Sequence, residues 1–288
     1  MSAPRRHRRL GLIVPWALFA IAALGWTVYW NILRIRTMEA AQAFVDRQRT
    51  AGASLIYSSV AASGYPLRLT LTFSGPAYEA PGGGWALSAP SLDLHVNPSD
   101  LRLIILETHG AVTWRDREVA RTLTPRTAAL SVRTEKGAFE RAILEVHDVS
   151  IAREGHPPAI LESAVIGVRP DPRRAADMQV SLDAAHLALA AAPADFSGLG
   201  ANIASIEARV VIENAAAAER ASVHRLEAWR AAGGAARFEG LGLKWGPAKI
   251  TGTGRLGLDA LRRPQGRLDL AIEDPQAALN ALAQPMAP

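Results

Sequence analysis

The chain has no cysteine among its 288 residues. That excludes a disulfide framework, a thiolate metal site and a cysteine nucleophile. Aromatic residues make up only 6% of the chain, and three lysines stand against 29 arginines. We read that bias, together with abundant alanine, as base composition, so alanine-rich stretches count for little as helix signals. The seven histidines (His7, His95, His109, His147, His156, His186 and His224) contain no H-x-H or H-E-x-x-H pair. No G-x-S-x-G elbow frames a serine. The acidic pair Glu273-Asp274 falls at a turn, where solvation accounts for it. These absences predict a non-enzymatic protein with no cofactor.

A further absence is positive evidence. No charged residue occurs from Leu10 to Leu33; Arg5, Arg6, Arg8 and Arg9 precede the run, and Arg34 and Arg36 close it. As a helix these 24 residues extend roughly 36 Å, enough to cross a hydrocarbon core of about 30 Å. Four arginines before the span and two after it place the N-terminus in the cytoplasm. A cleavable signal peptide has an apolar core of about 7–15 residues followed by small residues. Here Gly25–Leu33 is bulky and aromatic. The expectation is an uncleaved signal anchor, with Trp16 near one headgroup region and Trp26, Tyr29 and Trp30 near the other.

The formal charge of +5 first suggests nucleic acid. Setting aside the four leading arginines leaves 28 basic residues against 27 acidic ones, so the main domain is nearly neutral. It has no stripe of basic residues interleaved with aromatics, and nucleic acid is not an expected partner.

After the span, Met38, Ala41, Phe44 and Val45 recur at helical spacing, predicting a stalk that Gly52 ends. From Leu55 the period changes to two. Leu67, Leu69, Leu71 and Phe73 alternate with Arg68, Thr70 and Thr72; after a Pro81–Gly84 turn, Leu92, Leu94 and Val96 repeat the pattern. Further strands are expected at Leu101–Glu107, Ala111–Arg115, Ala128–Thr134, Phe139–Ile151, Ala159–Val168, Met178–Leu182, Ile203–Ile212, Ala236–Leu243, Ala248–Leu258 and Gly266–Ile272. The linkers are mostly too short for crossover helices, so the strands form an antiparallel meander. One helix is predicted at Ala215–Arg230, capped by Asn214 and stopped by Gly233-Gly234, with Val223, Leu226 and Trp229 on one face.

The fold class is mainly β with minor α: a transmembrane helix, then a large antiparallel, curved β-sheet domain with that helix packed on it. The expected divisions are a cytoplasmic basic tail (1–9), the signal anchor (10–33), a helical stalk (34–52) and a periplasmic β-rich domain (53–283). Pro193–Gly200 separates candidate halves 53–192 and 200–283.

Gly252-Thr253-Gly254-Arg255-Leu256-Gly257 matches G-x-G-x-x-G letter for letter. A dinucleotide fingerprint needs a strand before it and a helix after it. Here Leu256, Leu258 and Asp259 continue a strand, so close packing of a glycine-rich strand is the better account.

Three blocks carry a resemblance. They are Gly64-Tyr65-Pro66-Leu67-Arg68-Leu69, Trp229-Arg230 before Gly233-Gly234, and Lys244-Trp245-Gly246-Pro247 through Leu258-Asp259 to Arg263-Pro264-Gln265-Gly266. In that order the chain resembles a family of alphaproteobacterial membrane-anchored proteins, domain of unknown function 2125. The resemblance implies a bacterial inner-membrane protein facing the periplasm, and it supplies no activity, cofactor or site residue. A looser similarity in architecture runs to AsmA-like envelope proteins, several of which are implicated in moving phospholipid.

Two readings of function stay open. In one, a phospholipid or other envelope lipid lies along the apolar sheet face, with Leu67, Leu69, Leu71, Phe73, Leu92 and Leu94 lining the early part of the groove. In the other, a sheet edge or face holds a second envelope protein in a structural or assembly role.

Overall fold

In a computed structural model of the chain, residues 7–116, 119–220 and 225–283 are described. Arg5 and Arg6 of the basic tail, Val223, His224 and the C-terminal stretch 284–288 lie outside the described residues.

Helix α1 (His7–Thr50) makes span and stalk one rod, about 66 Å long at 1.5 Å per residue. Gly52, at φ +82°, turns the chain out of it, and the Ala53 amide donates back to the Gln48 carbonyl. The sheet then grows rung by rung in chain order. Five rungs come as pairs of short strands: β1 (Ser54–Ile56) with β2 (Ser59–Ser63), β3 (Leu69–Ser74) with β4 (Ala77–Glu79), β5 (Trp85–Ser88) with β6 (Ser91–Asn97), β7 (Asp100–His109) with β8 (Val112–Asp116), and β9 (Val119–Thr124) with β10 (Thr127–Glu135). Seven unbroken strands follow: β11 (Ala138–Arg153), β12 (His156–Asp171), β13 (Arg174–Ala188), β14 (Asn202–Ile212), β15 (Ala235–Trp245), β16 (Ala248–Leu258) and β17 (Pro264–Glu273). Among the described residues every pairing is antiparallel, and seventeen strands form one curved sheet.

The breaks in the first five rungs line up as a crease. They fall at Ser58, Gly75-Pro76, Ala89-Pro90, Gly110 and Pro125-Arg126. Proline cannot donate to a ladder, so it is tolerated where the pairing already lapses. Hydrogen bonds bridge the gap: the Gly75 amide donates to the Pro90 carbonyl at 2.8 Å, and the Ala89 amide to the Pro76 carbonyl at 3.0 Å. On the near side run β2, β3, β6, β7 and β10; on the far side run β1, β4, β5, β8 and β9. Both sets rejoin on β11, whose first part pairs with β10 and whose last part pairs with β9. Asp148, at φ +49°, marks the crease there. Leu101–Glu107 and Ala111–Arg115, read from sequence as separate strands, are two parts of one bent rung.

The sheet also runs through position 193 without a gap, because β13 pairs with β14 from Met178↔Ile212 to Ala188↔Asn202. Helix is found at both ends of the predicted Ala215–Arg230 segment, on either side of 221–224, which lie outside the described residues. The described residues form two short helices, α2 (Ala215–Arg220) and α3 (Arg225–Ala231), and neither Leu226 nor any other residue of α3 is buried. Asn214 does not cap through its side chain. It adopts φ +56°, and its Nδ2 donates to the Ala232 carbonyl. A last helix, α4 (Pro275–Leu282), is capped by Asp274, whose carboxylate accepts from the Ala277 amide.

Candidate functional site

Strand alternation over so many rungs gives the sheet one apolar and one polar face. In register across the near side stand Leu71, Leu94, Leu106, Leu130, Leu144, Ile166, Leu182, Ala208, Leu241, Gly252 and Leu270. A second row runs through Leu69, Val96, Ile104, Val132, Ala142, Val168, Val180, Val210, Phe238, Gly254 and Leu268 by the same pairings. Residues directly opposite in an antiparallel pair share a face, so these rows form one surface. On the reverse face the register lines up Thr72, Asp93, Glu107, Ala129, Glu145, Val165, Asp183 and Glu207, a chiefly acidic row.

The apolar face is covered by α1 at its start and, near its far end, by Leu199 and α4, which pack on Ala248 and Trp245; the rows between stay open. At the start, Trp30 and Leu33 of α1 form a core with Leu69, Leu71, Phe73 and Val96. Leu69 and Leu71 are fully buried, and Phe73 is 8% exposed. Such burial stabilises by about 1.5–3 kcal/mol per side chain. Leu92, Leu94 and Ile104 pack against the edge of this cluster. Beyond it, Leu130, Leu144, Ile166, Leu182 and Leu241 are only half-buried, and Leu270 is 60% exposed.

The six residues predicted to line a groove therefore divide. Leu69, Leu71 and Phe73 lie beneath α1, Leu92 and Leu94 flank it, and Leu67 stands outside the strand at 83% exposure. The open part of the face lies on later strands. Its signal was present in the alternation of Leu144, Val146, Ile166, Val168, Val180 and Leu182, but sequence does not say which rungs the helix covers.

The family-like blocks hold structure together. In the first, the Trp26 indole donates to the Pro66 carbonyl at 2.9 Å, and the Trp30 indole donates to the Arg68 carbonyl at 3.2 Å. The Tyr65 hydroxyl lies 2.7 Å from the Thr27 hydroxyl, and its ring meets Trp30 edge-on. Tyr29 donates to the Pro98 carbonyl in the β6–β7 turn. In the second block, the Trp229 indole donates to the Glu213 carbonyl at 2.7 Å, and a Cβ on Gly234 would lie 2.3 Å from that indole nitrogen. In the third, the Trp245 indole donates to the Gly200 carbonyl. A Cβ on Gly246 would meet the Leu199 carbonyl oxygen at 2.5 Å. Gly252, Gly254 and Gly257 sit inside β16 as a close-packed strand, and the next element is strand β17 rather than a helix.

Glu213 ties this region together. Arg255 reaches one carboxylate oxygen through two nitrogens, at 3.0 and 2.8 Å, and Arg237 reaches the other at 3.3 Å. The Arg255 hydrogen bonds, helped by the charges of Arg255 and Arg237, outweigh the opposing effect of burial and hold the carboxyl below its ordinary range. A depressed folded pKa means stability that is present above the unfolded value and lost as pH falls through the folded one. Acid titration below about pH 4.5 is therefore expected to weaken the domain, and Glu213→Gln to flatten that slope; an unchanged acid limb in the variant would contradict this.

Residues 30–288 match the family described as "Uncharacterized protein conserved in bacteria (DUF2125)". No curated protein and no solved structure matches the chain, so the likeness to AsmA-like proteins gains no support. The match takes in the seventeen strands of the described residues and α1 from Trp30 onward, and the chain is a member of the bacterial family DUF2125.

Proposed function

We propose that this protein is a non-enzymatic, single-pass membrane protein that holds lipid acyl chains along the open part of its apolar sheet face. The observation that carries the reading is the pair of apolar rows running from β3 to β17, covered by α1 only at their start. An uncovered apolar face of this extent is costly in water, and at about 0.8 kcal/mol per buried CH₂ an acyl chain lying on it gains substantial free energy. In this reading the arginines before the span keep the N-terminus in the cytoplasm, and the sheet stands in the periplasm at the inner membrane. The docking of Trp26, Tyr29, Trp30 and Leu33 onto the domain supports an uncleaved anchor, because removing the helix would strip the cover from Leu69 and Leu71.

Native mass spectrometry with lipid extraction on the full chain in mild detergent tests this. Phospholipid at defined stoichiometry is the expected result. Leu182→Glu, on the open row, is expected to abolish it, while Ser181→Glu, one residue away on the polar face, retains it. A lipid-free mass for the parent chain would sink the reading.

A second reading, an assembly role, has its own observation. All ten residues of β17 are exposed, and its register gives it β16 as strand partner. Its outer edge is a template for a strand from another envelope protein. A stoichiometric protein complex with no lipid would favour it.

A further inference from the structure

We infer that the β2–β3 loop and the β6–β7 turn are sunk into the bilayer leaflet on the domain side, so that the sheet begins within the membrane rather than above it. The inference rests on α1 spanning the membrane and is independent of lipid handling by the sheet. Depth along the helix is the first support. Arg34 is the first charge after the apolar run, and a charged guanidinium sits no deeper than the headgroups. Trp26, bonded to Pro66, lies eight residues earlier, about 12 Å further in at 1.5 Å per residue. Each headgroup layer is only about 5–7 Å thick, the difference between a core of about 30 Å and a bilayer of about 40–45 Å. The Pro66-Leu67 tip bonded to Trp26 therefore lies at the level of the acyl chains, with the exposed Arg68 reaching back toward the headgroups, and the turn bonded to Tyr29, five residues and about 7.5 Å in from Arg34, lies where acyl chains meet headgroups.

Exposure is the second support, and it is independent of the first. Leu67, at the tip of the loop, is 83% exposed, and Leu101, beside the turn, is 49% exposed. An apolar side chain held out this far has nothing to pack on in water, and acyl chains solvate it. The loop is also built to project it. A Cβ on Gly64, at φ +93°, would lie 2.6 Å from the Arg68 carbonyl oxygen, so the turn closes tightly beneath Leu67. The Arg68 carbonyl in turn accepts from Trp30, which fixes the loop against the helix. Polar backbone at this depth is tolerable because α1 satisfies it: the Pro66, Arg68 and Pro98 carbonyls all accept from Trp or Tyr side chains of the helix.

The chain has no native cysteine, so single-cysteine labelling needs no background removal. Leu67→Cys and Leu101→Cys in the full chain, carrying a polarity-sensitive fluorophore, are reconstituted in vesicles of phosphatidylethanolamine and phosphatidylglycerol. Ile21→Cys, mid-span, and Ala190→Cys, exposed beyond β13, serve as references. The expected result is that the Leu67 probe loses most of its emission to lipids brominated on the acyl chain and little to aqueous iodide, and that the Leu101 probe is quenched by brominated lipid less than Leu67 and more than Ala190. Probes at Leu67 and Leu101 that respond like Ala190, while Ile21 is quenched by brominated lipid, would overturn the inference and leave the anchor intact. An Ile21 probe quenched only by iodide would overturn the span and the inference together.

Discussion

Leu71→Ala is expected to cost the folded domain about 2–5 kcal/mol, and Leu67→Ala less than about 0.5 kcal/mol. The two leucines belong to one alternating series in the sequence, yet they occupy opposite environments. Leu71 is fully buried, with Ala62 and Leu94 opposite it on the neighbouring strands and Trp30 and Leu33 of α1 in the same core. Truncating it leaves a cavity between helix and sheet that neither can close, because both are held by hydrogen bonds at Trp26, Tyr29 and Trp30. Leu67 precedes β3 and makes no core contact, so in detergent its loss changes little. Urea unfolding of the detergent-solubilised chain, followed by tryptophan fluorescence, reads both. Equal costs would mean that the helix does not cover the sheet where the geometry puts it.

Gly254→Ala is expected to detach β17 from the sheet. A Cβ there would stand 2.2 Å from the Arg267 carbonyl oxygen and 2.8 Å from the Leu268 Cα. Both are backbone atoms of the neighbouring strand, so no rotamer change relieves the clash. The ladder Thr253↔Asp269, Gly254↔Leu268 and Arg255↔Arg267 must open around it. Overpacking of this kind costs about 1–3 kcal/mol, and an outermost strand has few other contacts to resist it. Amide hydrogen exchange across 264–273 is expected to lose its protection. Gly240→Ala is the control, since a Cβ there meets nothing within 4 Å. Retained protection in Gly254→Ala would mean that β16 does not need its glycine for close approach. The result also bears on the G-x-G-x-x-G match, whose glycines serve strand contact in this fold.

The alternation of Leu69, Leu71 and Phe73 with threonines was enough to place a half-buried strand, and the same rule recovered most of the later rungs. The crease was harder to see. Ser74-Gly75-Pro76 and Ala89-Pro90-Ser91 look like the ends of strands, because glycine and proline end strands in most settings. Here they bend one, and only the continued pairing on both sides distinguishes a bend from a turn. The outer bounds of the helix at Ala215–Arg230 were legible because they depend on local signals: Asn214 stands before its first residue and Gly233-Gly234 follow its last turn.

What the sequence alone determined is what depends on local spacing: an uncharged run long enough to cross a bilayer, a period of two along the strands, and an apolar and a polar side to each. What the tertiary structure decided is coverage. Leu67, Leu69, Leu94 and Leu182 are the same residue type, the last three in alternating strands. They differ in burial because α1 lies across β2, β3 and β6 and not across β11 to β17. Alternation assigns a side chain to a face of its own strand. Burial depends on what packs over that face, and that is set by hydrogen bonds between residues about forty positions apart, from Trp26 to Pro66 and from Trp30 to Arg68.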